Sequence, residues 1–436
     1  MLGAMDRPSA LIEIAAVEPC PAPALAGAEV NLPAAGDRLP TYALDLRGWA
    51  IGREAAVCTV QFASEGSALA DVPLEVDRPH TAARFGAGDP IGFRALVNAL
   101  LLPVEFELEV TAGTDHAEHV PIATVRGRRA PLAADAGGGP QPLIVTTLGR
   151  TGSMLLLRLL EAHPEVFVIR PHRYEQRVAG YWVEVLLALT DPSSYMRQLA
   201  PAGSLDRPLW WLGHEGPVPV VDPENALQRW LGDEAVSQLA KICRGRIDAL
   251  YAHAAASVGA QPRFFAEKHT IRSATLTAEL YPEAREVFLV RDFRDMVTSI
   301  LAFNRKRGVR GFGEGAASSP IDYINRLGGW ADGLVRSYTR RRASAHVLRY
   351  EDLVLETRSA LGALLEYLQV DSSEATISRM LDAASLELPE LAEHRTSGAP
   401  AASVGRWRTE LDEDLQKACA RSFDAALQTF GYPPET

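Results

Sequence analysis

The sequence predicts two domains: a smaller all-β sandwich over residues 1–135, then an α/β domain over residues 141–436 whose parallel sheet is flanked by helices. Three observations predict this. From about Tyr42 to Arg128, short segments rich in Val, Leu and Phe are broken at short intervals by Gly, Pro and Asp. Residues 131–142 then read PLAADAGGGPQP, a stretch without apolar period that suits a linker. Beyond it, strand-like apolar runs alternate with long helical patterns, as expected for a parallel sheet covered on both faces.

Composition leaves room for both domains and narrows the function. The 436 residues are 47% hydrophobic and 23% charged, ordinary for a globular chain with apolar surface to bury. A formal net charge of -11 argues against nucleic acid as a partner, because phosphate-backbone binding needs a positive footprint, so any anion site is local. The start, MLGAMDRPSALIEIAAVEPC, has acidic residues inside a short apolar stretch and no charged leader before a clean apolar core, which argues against secretion. No run approaches the ~18 apolar residues of a membrane span. Cys20, Cys58, Cys243 and Cys419 lie far apart, with neither CxxC pairs nor zinc-ligand spacing. They read as reduced thiols of a cytoplasmic protein, and no metal site is expected.

In the first domain the strand candidates are YALDLRGWAIG, AAVCTVQFAS, EFELEV and HVPIATVRG; the period-two alternation of EFELEV and the regular turn signals favour antiparallel pairing. In the second, LIVTTL feeds SMLLLRLLEAH, and EVFLV feeds DMVTSILAFNRK. The first junction is the more informative. Between its strand and its helix lie Gly149, Arg150, Thr151, Gly152 and Ser153, with the helix beginning near Met154. Such a turn aims backbone N–H groups and the positive end of the helix dipole at one point, where an anion belongs. Gly152 allows close backbone approach, Arg150 supplies a guanidinium, and Thr151 and Ser153 supply hydroxyl donors. A nucleoside-triphosphate loop of the form GxxxxGK[ST] is not present, since neither its first Gly nor its Lys is in place.

At the second junction Arg291 ends the strand and Ser299 follows eight residues later, in the early turns of the helix. A guanidinium at the strand tip and a hydroxyl on the adjoining helix are placed to meet one phosphate beside the first loop. Taken alone, RDFRD also reads as helix-capping carboxylates with solvated arginines.

Together the two junctions resemble the sulfotransferases that use 3'-phosphoadenosine 5'-phosphosulfate (PAPS), and the stretches EAHPEV and SVGRWRTEL extend the resemblance from about Pro142 to the end. It implies the sulfotransferase fold, a P-loop-like parallel sheet, with PAPS as co-substrate, PAP as product, and a hydroxyl-bearing acceptor, including a carbohydrate. It also implies that Gly149 to Met154 hold the 5'-phosphosulfate and that Arg291 and Ser299 hold the 3'-phosphate. Val404, Gly405, Arg406 and Arg408 fall in the stretch similar to the late loop that closes over the nucleotide, Gly405 bringing N–H groups and the arginines adding charge. The chain departs from the family at Arg150, often Lys; at Met154, where a second hydroxyl is usual; at Leu155, where some members stack a tryptophan on adenine; and at Pro400-Ala401, a basic pair in some branches. RPHTAARFGAGDPIGFRA, in the first domain, is similar to a connection in small β-sandwich modules attached to bacterial glycan-modifying enzymes.

Sulfuryl transfer needs cations at the donor and a base at the acceptor. Arg150 and Lys268 are the candidate cations. Glu175, whose placement resembles the branch that uses a glutamate base, is the first candidate for the proton acceptor, with partial burial expected to raise its pKa. His269, similar to the histidine of the small-molecule branch, is the second. Glu175 also reads as an ion-pair partner of Arg173 or Arg177, and His269 as a structural strand-end histidine; His163 and His172 read as structural or peripheral. Arg173 and Arg177 are alternatively placed to greet an anionic acceptor. The stretch Tyr181–Tyr251 carries Trp182, Trp210, Trp211 and Trp230, which suit either an acceptor wall or core packing. Two other functions stay open: a nucleotide- or carbohydrate-binding scaffold without catalysis, and a nucleotide kinase using Asp292 for a metal.

Overall fold

The computed structural model describes residues 10–116, 119–132, 139–170, 174–191, 234–385, 396 and 398–433. They group into two compact units, Met1–Asp135 with Val183–Cys243, and Ala136–Trp182 with Arg244–Thr436.

The first unit is antiparallel throughout its strands. These are β1 (Ile12–Pro19), β2 (Leu25–Leu32), β3 (Arg38–Leu39), β4 (Ala43–Gly52), β5 (Val57–Ser64), β6 (Ser67–Pro73), β7 (Gly92–Asn98), β8 (Glu105–Thr114) and β9 (His119–Arg129). They form a six-stranded sheet in the order β3-β1-β9-β8-β5-β6 and a three-stranded sheet in the order β2-β4-β7. Alternation decides the faces: in β8, Phe106, Leu108 and Val110 are buried while Glu105, Glu107 and Glu109 are exposed. Phe62 of one sheet meets Phe93 of the other edge-on, with ring centroids 5.9 Å apart. The strands begin well before Tyr42, where the sequence reading started them; Ile12 and Ile14 are buried on either side of exposed Glu13, a short alternation of the same kind. Within RPHTAARFGAGD the chain forms a helix, α1 (Pro79–Phe85), opened by proline at its first turn and closed by Gly86 at φ 64°.

The second unit carries five parallel strands, β10 (Gln141–Thr146), β11 (Val166–Phe167), β12 (Phe264–His269), β13 (Arg285–Val290) and β14 (Ala345–Arg349), in the order β11-β12-β10-β13-β14. Its helices include α2 (Ser153–Glu161), α3 (Val178–Leu189), α4 (Ala235–Ser257), α5 (Ile271–Leu280), α6 (Phe293–Arg307), α7 (Pro320–Arg341), α8 (Tyr350–Leu355), α9 (Thr357–Leu368) and α10 (Glu374–Ser385), α3 and α4 each running across the division between the units. Helices on both faces explain the unbroken apolar runs of the strands. Val287 and Leu289 join a core with α2, α9 and α10, whereas Phe288 and Val290 join one with α6 and α7. Because β10 is central, with later strands added on both its sides, the carboxyl ends of β10, β12 and β13 flank the point where strand order reverses, the usual place for a ligand crevice.

Candidate active site

The turn after β10 is built from left-handed residues: Gly149 has φ 123°, Arg150 φ 53° and Gly152 φ 89°. This curls the backbone ahead of the N-terminus of α2, concentrating amide donors there. Gly152 is required twice over, since a Cβ at that position would sit 2.3 Å from the Tyr350 ring. Thr151 is buried, and its hydroxyl shares a hydrogen bond with that of Thr147.

Arg291 follows β13 directly and joins three segments. Its Nη1 donates to Arg150 O at 3.2 Å, its Nη2 donates to Ser403 O at 2.5 Å, and its guanidinium lies 4.7 Å from the centre of the Tyr350 ring. Tyr350 in turn shares a 3.0 Å hydrogen bond with Ser403 Oγ. The side chain is 4% exposed, and its Nε is buried with no hydrogen-bond partner among the described residues. Ser299, on α6, accepts from Arg150 Nε at 3.3 Å, while the Arg150 guanidinium stacks 4.6 Å from the Phe303 ring. Burial, then the charges of Arg291 and Arg406, push Arg150 down to about 10. So concentrated a positive charge favours an anionic ligand.

A third group comes from β12 and the chain before α3. Lys268 Nζ donates to Glu175 Oε1 at 2.9 Å, and Arg177 Nη2 donates to Oε2 at 2.6 Å. Burial raises the Glu175 pKa, but Lys268 and Arg177 together outweigh it, so the carboxyl lies below its ordinary value. The expectation of a raised pKa is corrected by these two cations. Burial lowers Lys268, with Glu175 opposing the shift.

These groups meet at a cavity of about 490 Å³ whose lining includes Arg150, Gly152, Ser153, Met154, Glu175, Arg177, Lys268, Arg291 and Ser299. Tyr350, Phe303, Phe312 and Arg158 also line it, and sequence reasoning did not single them out. Arg158 carried a legible signal, lying four residues after Met154 on the same helical face. Tyr350 carried none, because only the folded chain brings it under Gly152.

Other expected residues lie elsewhere. His269 points to the opposite face of β12 from Lys268, as alternation along a strand demands. It is outside the cavity lining, 1% exposed, with Nδ1 3.3 Å from Ser273 Oγ, and burial pushes it down to about 3. As a base it has no access to an acceptor in the cavity. Gly149 borders the Phe312 ring, to which an added Cβ would come within 3.3 Å. The Gly405 N–H, expected to face a phosphate, donates instead to Asp295 Oδ2 at 2.5 Å, and Trp407 N donates to Oδ1 at 3.0 Å. Asp295 thus pins the late loop to the start of α6. Arg406 pairs with Glu410 at 2.7 Å and donates to Thr396 Oγ1 at 3.2 Å; Arg408 stacks 4.7 Å from the Trp407 ring. Neither arginine, nor Val404, is part of the cavity lining, which the loop reaches through Pro400 and Ser403. Asp292, the candidate metal ligand of a kinase, caps α6 through Arg294 N at 3.0 Å and pairs with the Arg294 side chain at 2.8 Å. His163 is buried, its Nε2 3.0 Å from Asp371 O. His172, Arg173, Trp210, Trp211 and Trp230 lie outside the described residues.

Comparison with known proteins shows the family of the chain. Residues 142–374, more than half of the chain, match the model of the sulfotransferase family. The chain belongs to the sulfotransferase family, and as an enzyme it is a sulfotransferase. No curated protein sequence matches it. Similar solved structures include sulfotransferase STF9 from Mycobacterium avium, at 16% identity over 68% of this chain and 78% of that one, with a TM-score of 0.36. Retinol dehydratase in complex with androsterone and inactive cofactor PAP is 16% identical over 74% and 90%, with a TM-score of 0.34. Mouse sulfotransferase SULT7A1 complexed with PAP is 10% identical over 68% and 87%, with a TM-score of 0.32. These superpositions are loose, and the family assignment rests on the matched segment. No described helix is long and apolar enough to cross a membrane.

Proposed function

We propose that the cavity holds PAPS with its 5'-phosphosulfate on the turn from Gly149 to Met154 and its 3'-phosphate beside Arg291 and Ser299, and that Glu175 takes the proton from an acceptor hydroxyl. The observation that carries this reading is the meeting of Arg150 and Arg291: the Arg291 guanidinium holds the Arg150 carbonyl, Arg291 is buried and Arg150 half-buried, and the two Nη groups of Arg291 donate to carbonyls. Two such charges side by side favour an anionic ligand between them.

In the transfer, the acceptor oxygen attacks sulfur, the bond from sulfur to the bridging phosphate oxygen breaks, and PAP leaves with the electron pair. Lys268 and Arg150 stabilise the charge that develops on that oxygen. Lys268 starts on Glu175 and is drawn toward the leaving group, which frees the carboxylate as the acceptor proton becomes acidic. This exchange reconciles a base of lowered pKa with its task.

The transfer domain is assigned to residues 141–436 and an accessory role to residues 1–135. The acceptor is a glycan, lipid or small-metabolite hydroxyl, and the unpaired state of all four cysteines suits the cytoplasm. The test is calorimetric titration with PAP together with transfer from radiosulfate-labelled PAPS into a cell extract. PAP binding with labelled product supports the proposal. Binding with no turnover of PAPS favours the scaffold reading, and absence of both rejects the two together.

A further inference from the structure

Glu267 is 1% exposed, sits beside Lys268 on β12, and takes no part in the transfer described above. Its oxygens each accept one backbone N–H from the first turn of α3: Ala179 N donates to Oε2 at 2.9 Å and Gly180 N to Oε1 at 2.9 Å. Tyr251 Oη, from α4, donates to Oε2 at 2.7 Å. The first amides of a helix lack intrahelical partners and carry the positive end of its dipole, so the carboxylate caps α3 across space. A buried carboxylate is costly, and an apolar side chain would fill the same volume more cheaply. Its cost is met by the three donors it holds.

What it holds is the chain that carries Glu175 and Arg177. Neighbouring strand residues point to opposite faces, so β12 grips this segment twice: Lys268 takes the Glu175 carboxylate on one face, and Glu267 takes the helix start on the other. Upstream, Tyr174 is 3% exposed and donates to Glu161 Oε2 at 2.7 Å. The residues from Tyr174 to Gly180 are therefore clamped at both ends, with the reacting carboxylate between the clamps. We propose that Glu267 is a positioning residue that sets Glu175 and Arg177 against Lys268 by gripping the start of α3 from the far face of β12.

The same carboxylate gives the arrangement a pH response. Burial pushes it up to about 7 in spite of its three donors. The groups facing it are Tyr251 on α4, Tyr281 beyond α5, Arg177 ahead of α3, and His269 on its own strand, whose Nε2 lies 3.8 Å from Oε1. Protonation removes acceptor capacity from one oxygen, so turnover shows a partial step near neutral pH, higher on the alkaline side.

The proposal rests on Glu175 and Lys268 acting in transfer, and the experiment separates the two ideas. Full-length wild type, Glu267→Gln and Glu267→Asp are compared for PAP affinity by calorimetry and for PAP release from PAPS with water as acceptor. A glutamine offers one acceptor oxygen where two amides need one each, so turnover of Glu267→Gln falls about tenfold or more, as expected for a small misplacement of a reacting group. PAP affinity stays within about twofold, because Arg150, Arg291 and Ser299 lie on other segments. Aspartate keeps two acceptors and retains more activity than glutamine, and the step near neutral pH is absent from Glu267→Gln. Turnover within about twofold of wild type, or a proportionate loss of turnover and PAP affinity, overturns the proposal. Should Glu267→Gln fail to fold, Tyr251→Phe carries the same test: reduced turnover at unchanged PAP affinity supports positioning, and unchanged turnover overturns it. Wild type that neither binds PAP nor releases it from PAPS sinks the transfer reading itself.

Discussion

The two ends of the cavity handle positive charge in opposite ways. At one end, Arg150 and Arg291 face carbonyl and hydroxyl oxygens, and burial, then the charge of Arg291, lowers the Arg150 pKa. At the other, Lys268 and Arg177 are paired with Glu175. On the proposed function, the first end is the one that gains most from binding an anion. The second is balanced before the ligand arrives, so an incoming negative charge must exchange partners with a carboxylate already in place. On the proposed function, affinity belongs to the first arrangement and chemistry to the second.

Substitutions at the two ends should accordingly separate binding from turnover. Glu175→Gln has the largest expected effect: turnover drops about a hundredfold or more, with PAP affinity nearly unchanged, as measured by PAPS consumption and calorimetry. Full activity in that variant would break the division. Arg291→Ala weakens PAP binding about 10- to 100-fold, corresponding to ~1.5–3 kcal/mol for its charged hydrogen bonds, while circular dichroism reports an intact fold. Gly152→Ala costs about 1–3 kcal/mol of local strain, read as a lower melting temperature or weaker PAP binding, because the new methyl meets Tyr350.

The pH dependence sharpens the contrast further. Glu175 has a lowered pKa in the free enzyme, so it stays ionised as pH falls and becomes protonated only below the ordinary glutamate range. The final acid loss of kcat/KM, which reports the free enzyme, therefore lies below that range, and that of kcat, which reports the complex, lies higher because Lys268 has turned to the ligand. Lys268→Ala moves the kcat/KM limb upward by removing the cation, and an unmoved limb would take Glu175 out of the base role. The smallest effect is at Arg408, which stacks on Trp407 outside the cavity lining; Arg408→Ala changes PAP affinity by less than about twofold.

Legibility in the sequence followed the range of the forces involved. The turn from Gly149 to Ser153 was readable as a turn because strand, turn and helix are contiguous and its backbone geometry is local, although Arg150, Gly152 and Ser153 line the cavity while Gly149 and Thr151 do not. Arg291 and Ser299 were readable for the same reason, their spacing along one strand and one helix being set by backbone geometry. The early strands β1 and β2 were not recognised, although Ile12 and Ile14 alternate with Glu13, because the stretch is short and its partners lie far along the chain: Ile12 pairs with Arg129. The late loop shows the limit from the other side. Its residues suited a phosphate, yet Asp295, more than a hundred positions earlier, takes the Gly405 and Trp407 amides.

Composition and local pattern were enough to determine an α/β domain with arginines at two strand ends, because turn geometry and strand periodicity act within a few residues. The tertiary structure alone decided that Lys268 reaches the cavity while His269 does not, that Glu175 is held below rather than above its usual pKa, and that Tyr350 underlies Gly152. Each of these follows from side chains brought together by packing, and from the electrostatics of burial, which no sequence spacing encodes.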